Sequence, residues 1–139
     1  MMSDEAIREL FESAKIIAVV GLSSNPGRPS LGVSRFLQRH GYRIVPVNPR
    51  ETEVLGERAY PSLKDVPGTV DIVNIFRRPD RVTEIIPDVI ANGARCVWMQ
   101  EGVVNHDAAR QAEAAGIPVV MDRCILKEMA RLLPSTIPS

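Results

Sequence analysis

Continuous apolar runs alternate along this chain with segments whose apolar residues recur every three or four positions. Ile16 to Val20 is a short, unbroken apolar run ending at Gly21, the pattern of a strand buried on both faces. Before it, Ser3 is placed to cap a helix through Ala14, with Ile7, Leu10 and Phe11 on one face and Asp4 and Glu5 in the first turn. After it, Ser30 is placed to cap a helix carrying Val33, Phe36 and Leu37 and stopping at Gly41. Ile44 to Val47 reads as a second strand, although Pro46 is a residue that the middle of a sheet resists. Residues 48–68 are looser, with one turn of helix expected from Ser62 to Val66.

The alternation then resumes. Val70 to Phe76 reads as a strand, and Thr83 is placed to cap a helix ending at Gly93, with Pro87 in its first turns. Cys96 to Met99 is the next strand, and Asn105 caps an Ala-rich helix that stops at Gly116. Ile117 to Met121 is a last strand before a terminal helix to Leu133, and Pro134 to Ser139 is expected to fray. About five strands separated by helices predict an α/β fold: a doubly wound parallel sheet with helices on both faces.

At 139 residues the chain fits one domain, 1–139, and 45% apolar with 24% charged residues is ordinary globular composition. Basic and acidic residues balance at 17 each, so bulk charge does not point to nucleic acid. The zero hides a bias: 14 of the 17 basic residues are Arg, which suits planar phosphate recognition. No stretch approaches 18 apolar residues and the N-terminus has no signal-peptide character, so a soluble cytoplasmic protein is expected. Cys96 and Cys124 are too few for a disulfide framework, and two distant His with two distant Cys make no metal pattern.

In a doubly wound sheet, ligands bind outside the carboxyl ends of the strands, so the residues following each strand carry the functional signal. The first strand leads into Gly21-Leu22-Ser23-Ser24-Asn25-Pro26-Gly27-Arg28-Pro29-Ser30, a loop of turn formers and donors entering a helix N-terminus. Its glycines do not space as the compact dinucleotide turn, and there is no Gly-Lys-Ser or Gly-Lys-Thr, so phosphate binding competes with a plain strand-to-helix connection. After the second strand stand Asn48, Pro49, Arg50 and, late, Glu51. An NAD site would place an acid at the strand end, so Arg50 favours a phosphorylated ribose or another phosphorylated nucleotide. Phe76-Arg77-Arg78-Pro79 puts two guanidiniums at the same rim, where either could bind an anion or, with Asp80, form a surface ion pair. Met99-Gln100-Glu101-Gly102 follows the fourth strand.

Together, Val19-Val20-Gly21-Leu22-Ser23, Pro46-Val47-Asn48-Pro49, Phe76-Arg77-Arg78-Pro79, Trp98-Met99-Gln100-Glu101-Gly102 and Met121-Asp122-Arg123-Cys124 resemble the small bacterial and archaeal CoA-binding proteins. That family is related to the nucleotide-binding domain that opens the succinyl-CoA synthetase alpha subunit, and the resemblance runs from about Ala14 to Leu133. It implies a Rossmann-like fold binding coenzyme A, or an acyl-CoA, along the strand carboxyl ends. By the resemblance, Ser23 and Ser24 are phosphate donors, and Arg50 stands approximately at the position that is basic in the synthetase. Arg77 and Arg78 replace small or apolar residues of the synthetase turn, and Gln100-Glu101-Gly102 replaces its Thr-Glu-Gly. The first loop is longer than the synthetase's.

The expected ligand contacts are therefore Gly21, Ser23, Ser24, Asn25, Arg28 and Ser30 in the first loop, and Asn48 and Arg50 after the second strand. Phe76, Arg77 and Arg78, with Met99, Gln100 and Glu101, complete them, Phe76 and Met99 supplying apolar contact to adenine or the pantetheine arm. No catalytic residue is expected. The synthetase's phosphorylated His lies in a second domain for which 139 residues leave no room, and neither His40 nor His106 has a convergent partner. The rival readings are an acyl- or thiol-transfer enzyme using Cys124 or Glu101, and an NAD(P)-linked sensor. Against the first, Cys124 reads better as a small buried residue packing the terminal helix than as a reactive thiol, and Cys96 reads as a core residue. Glu101 and Asp122 both stand near the crevice, but no separation between them can be read to make an acid–base pair, and a homo-oligomer or protein partner stays open.

Overall fold

The structure is a computed structural model and describes residues 1–133; the tail expected to fray lies outside the described residues. Strands β1 (Ile16–Val20), β2 (Arg43–Val47), β5 (Ile72–Ile75), β6 (Cys96–Met99) and β7 (Val119–Val120) form a five-stranded sheet in the order β2-β1-β5-β6-β7. Every pairing in it is parallel, with Val19 opposite Pro46 and Val20 opposite Ile75. The order reverses between β1 and β5, the position at which open α/β sheets open a ligand crevice.

Helices cover both faces. On one, α1 (Asp4–Ser13), α2 (Pro29–Arg39) and α5 (Ile125–Leu132) bury Ile7, Leu10, Phe11, Leu31, Leu37 and Met129 against Ile17, Val19, Ile72 and Trp98. On the other, α3 (Ile86–Asn92) and α4 (His106–Ala114) bury Ile86, Val89 and three alanines against Ala18, Val73, Val97 and Val119. The doubly wound, Rossmann-like reading of the sequence therefore holds. Ser3 caps α1 as expected, its hydroxyl accepting from Ala6 N–H at 3.1 Å, and Asn105 caps α4 from Ala108 N–H at 2.9 Å. His40 ends α2 with its ring nitrogen 2.8 Å from the Phe36 carbonyl.

Three expectations are corrected. Ser30 does not cap α2: Pro29 opens the helix with Arg28 at the capping position, because Pro has no N–H to lose there. Thr83 caps nothing: a 3-10 turn runs from Pro79 to Ile85 and passes directly into α3, whose first turn tolerates Pro87. A small hairpin, β3 (Glu53–Val54) and β4 (Glu57–Arg58), also fills part of the stretch read as loose. Its turn puts Leu55 at φ 55° and Gly56 at φ 78°, and no Asn-Gly or Asp-Gly pair announced it. Pro46 is accommodated because β2 is an edge strand of the five-stranded sheet. Its carbonyl still accepts from Tyr60 N–H at 3.0 Å, and Val47 bridges to Tyr60.

At the opposite end of the sheet Asp71 ties three segments together. Its Oδ2 accepts from the Lys15 and Ile16 amides at 2.8 and 2.9 Å, and Arg95 pairs with Oδ1. Burial pushes this carboxyl up, but the two amides and Arg95 outweigh it and hold the group below the ordinary Asp range. Asn74, inside β5, is fully buried with neither amide atom hydrogen-bonded among the described residues, and the Ser34 hydroxyl of α2 likewise finds no partner among them. An unpaired buried amide carries its full desolvation cost. Asn74→Leu, of similar length, is therefore expected to raise stability by about 1–3 kcal/mol, read as a later urea midpoint at unchanged slope. An earlier midpoint would mean that Asn74 is satisfied by a buried water.

Candidate functional site

The loops leaving β1, β2 and β5 converge on Gly21. Its amide donates to the Val47 carbonyl at 2.8 Å, and the Phe76 amide donates to the Val20 carbonyl at 2.8 Å. Gly21 sits at φ +91°, and a Cβ there would lie 2.2 Å from the Phe76 carbonyl oxygen. Glycine is thus required by both conformation and space, and it brings the Phe76-Arg77 backbone against the end of β1.

Two clefts open on either side of this junction. The larger, about 500 Å³, is walled by Ser23 and Arg28 of the first loop, Asn48 to Glu51 after β2, and Phe76 to Arg78 after β5. The second, about 310 Å³, shares Gly21, Arg28, Phe76, Arg77 and Arg78 with it and extends over Ser30, Gln100, Glu101 and Val103. A side space of about 150 Å³ adjoins both, floored by Val20, Val47 and Leu63. Arg77 borders all three spaces.

The charge arrangement is uneven. Among the described residues, no acidic group pairs with the guanidinium of Arg28, Arg50 or half-buried Arg77. Arg78 holds Asp80 in a two-bonded contact at 3.2 and 2.9 Å, but the pair is exposed and so contributes little to stability. Three uncommitted guanidiniums around one cleft are suited to a ligand carrying several phosphates.

The first loop is ordered by its own polar groups. Ser23 N–H donates to the buried Ser30 hydroxyl at 3.1 Å, Asn25 N–H to the Ser23 hydroxyl at 3.0 Å, and Gly27 N–H to Asn25 Oδ1 at 2.9 Å. Asn48 joins this loop to the end of β2: its Nδ2 donates to the Leu22 carbonyl at 3.0 Å, while its Oδ1 accepts from Arg50 N–H at 2.9 Å. Ser30 and Asn48 thus shape the loops, and the exposed Asn25 closes a turn onto Gly27.

The other expected contacts are held by the fold in different ways, Gln100 and Glu101 at the wall of the second cleft and Met99 away from it. Met99 is fully buried in the core and forms no wall of any of the three spaces. Gln100 is 4% exposed, and its Oε1 accepts from Ile125 N–H at 3.0 Å, anchoring the start of α5. Glu101 is exposed and bridged by Lys127 at 3.0 and 3.1 Å, a contact that raises the Lys127 ammonium above its usual range. Cys124 is buried at the start of α5, and burial pushes the Cys96 thiol up to about 12. Asp122, at φ 61°, accepts from Gly102 N–H at 2.8 Å and so ties together the loops after β6 and β7. Reading strand ends in the sequence missed Pro49 and gave Glu51 no role, although both wall the larger cleft. An acid beside an Arg just after the second strand was the available signal for Glu51.

The chain is similar to known proteins in sequence and in fold. The chain is 42% identical over 123 residues to YneT of Bacillus subtilis, covering 88% of this chain and 91% of that protein. A solved structure of a hypothetical protein from Pyrococcus horikoshii OT3 superposes with a TM-score of 0.92 at 40% identity, covering 95% of this chain and 93% of the other. Acetate–CoA ligase (ADP-forming) II of Archaeoglobus fulgidus is 35% identical over 91 residues, which are 64% of this chain and only 13% of the ligase. Residues 15–130, from the first strand into α5, match the profile of the CoA binding domain, and the chain is a member of that family.

Proposed function

We propose that the chain binds coenzyme A, or an acyl-CoA, across the two clefts that meet at Gly21. The observation that supports this reading most is the set of three guanidiniums, Arg28, Arg50 and Arg77, which pair with no acid among the described residues and wall one switch-point cleft. CoA supplies three phosphate groups for them and a long arm to continue into the second cleft over Phe76 and Val103. Membership of the CoA binding domain family and the match to an acetate–CoA ligase support the same ligand.

We read the site as a binding site rather than a transfer centre. The thiol and the carboxylate that an acyl- or thiol-transfer step would use are Cys124, packed in the core, and Glu101, neutralised by Lys127. Arg50 in place of an acid after β2 disfavours NAD, while NADPH is the relevant competitor. Isothermal titration with CoA should show one saturable site per chain, displaced weakly or not at all by NADPH. No saturation at about 1 mM CoA, an affinity weaker than about −4 kcal/mol, would remove CoA as the ligand.

A further inference from the structure

The 500 Å³ cleft contains an acid that no step of the reading above uses. Glu51 turns its carboxylate onto the first loop: Oε2 accepts from Ser24 N–H at 2.8 Å and from the Ser24 hydroxyl at 2.9 Å. An amide and a hydroxyl converging on one anionic oxygen is the donor set that phosphate-binding loops present to a phosphoryl oxygen. The carboxylate sits there although Arg28, Arg50 and Arg77 wall the same cleft, and it forms an ion pair with none of them. The chain's own acid thus occupies the loop donors, while the cations stay available.

We propose that Glu51 is an internal surrogate for a ligand phosphate: it holds the Ser24 donor pair at the stretch of cleft wall that Glu51 itself forms and is displaced when a phosphate of the ligand arrives. The proposal rests on the reading that this cleft binds CoA. Exchange keeps the hydrogen-bond count constant, since the Ser24 amide and hydroxyl pass from a carboxylate oxygen to a phosphate oxygen. The incoming phosphate also gains the guanidiniums, which Glu51 in its present position does not use. While it remains in the cleft, Glu51 opposes the ligand twice, by holding the donors and by repelling a second anion. It therefore sets the affinity of the site without having to touch the bound ligand.

The test is calorimetric titration of CoA into the wild type, Glu51→Ala, Glu51→Gln and the double variant Glu51→Ala with Ser24→Ala, alongside amide NMR of Ser24. Removing the competitor should tighten CoA binding by about 5–20-fold in Glu51→Ala and by less in Glu51→Gln, whose amide oxygen still accepts from Ser24. The double variant should lose that gain, and the Ser24 amide resonance of the wild type should shift on saturation with CoA. Equal or weaker binding by Glu51→Ala overturns the proposal, the weaker result assigning Glu51 to a ligand hydroxyl. If no variant binds CoA, the CoA reading itself fails, and inorganic pyrophosphate becomes the probe. A larger Ser24 shift with pyrophosphate in Glu51→Ala than in the wild type then upholds the surrogate role, and equal shifts overturn it.

Discussion

Arg77→Ala is expected to weaken CoA binding by about 10–100-fold while leaving the thermal midpoint within about 1 °C of the wild type. The size follows from the worth of a charge-assisted hydrogen bond, about 1.5–3 kcal/mol, which is one to two decades in affinity. Arg77 is the strongest choice among the cations of the cleft because it borders all three spaces and is half-buried, so solvent screens it less than Arg28 or Arg50. The small midpoint change follows because, among the described residues, its guanidinium has no ion-pair or hydrogen-bond partner, so the fold gives up only the packing of the half-buried stem beside Gly21. Arg77→Lys should recover only part of the affinity, since an ammonium cannot match a phosphate with two parallel bonds. Calorimetry on the three proteins checks this, and wild-type affinity in Arg77→Ala would place the phosphates elsewhere.

Gly21→Ala is expected to cost about 3–5 kcal/mol of stability, the largest effect of any small substitution near the cleft. Two penalties combine. At φ +91° an L side chain is strained, and its Cβ would stand 2.2 Å from the Phe76 oxygen and 3.2 Å from Arg77 Cδ. Neither carbonyl nor strand can retreat easily, because Phe76 N–H is bonded to β1 and Gly21 N–H to β2. Gly102→Ala is the comparison: at φ +84° with nothing within 4 Å of its Cβ, it carries the conformational penalty alone, about 1–2 kcal/mol. Urea denaturation of both variants decides the matter. A Gly21→Ala cost no larger than that of Gly102→Ala would show that the loops after β1 and β5 separate freely.

Much of this architecture was legible in the chain. The buried strands announce themselves because a sheet covered on both faces demands continuous apolar runs, as in Ile16 to Val20 and Cys96 to Met99. Helix starts at Ser3 and Asn105 were readable because a capping side chain is a local interaction. The start of α2 was misread since Ser30 has the chemistry of a cap but spends its hydroxyl on Ser23, a loop contact that local pattern does not encode. The hairpin at residues 53–58 escaped because its turn uses Leu55 at positive φ, held by Gln38 of α2 donating to the Leu55 carbonyl at 3.0 Å. The position of the guanidiniums at the cleft walls was readable from their places after strands. Met99 was not, since which way a strand-end side chain points depends on register. Glu51 was not either, because its partner Ser24 is 27 residues away in sequence.

The helix that precedes the first strand has a consequence for how the molecule opens. Arg131 near the end of α5 reaches back to Asp4 at the start of α1 through two bonds of 2.8 Å, and Arg8 donates to the Leu132 carbonyl at 3.3 Å. Phe11 of α1 packs against Trp98 of β6, ring centroids 5.5 Å apart, and the Trp98 indole donates to the Arg123 carbonyl just before α5. The first and last helices are thus fastened to each other and to the same tryptophan. Neither can fray by itself: melting α1 uncovers the ring on which α5 depends, and losing α5 strips α1 of its counter-ion. Their amides should exchange with solvent as one cooperative unit, so that the two sequence-distant ends of the described chain share a single opening free energy.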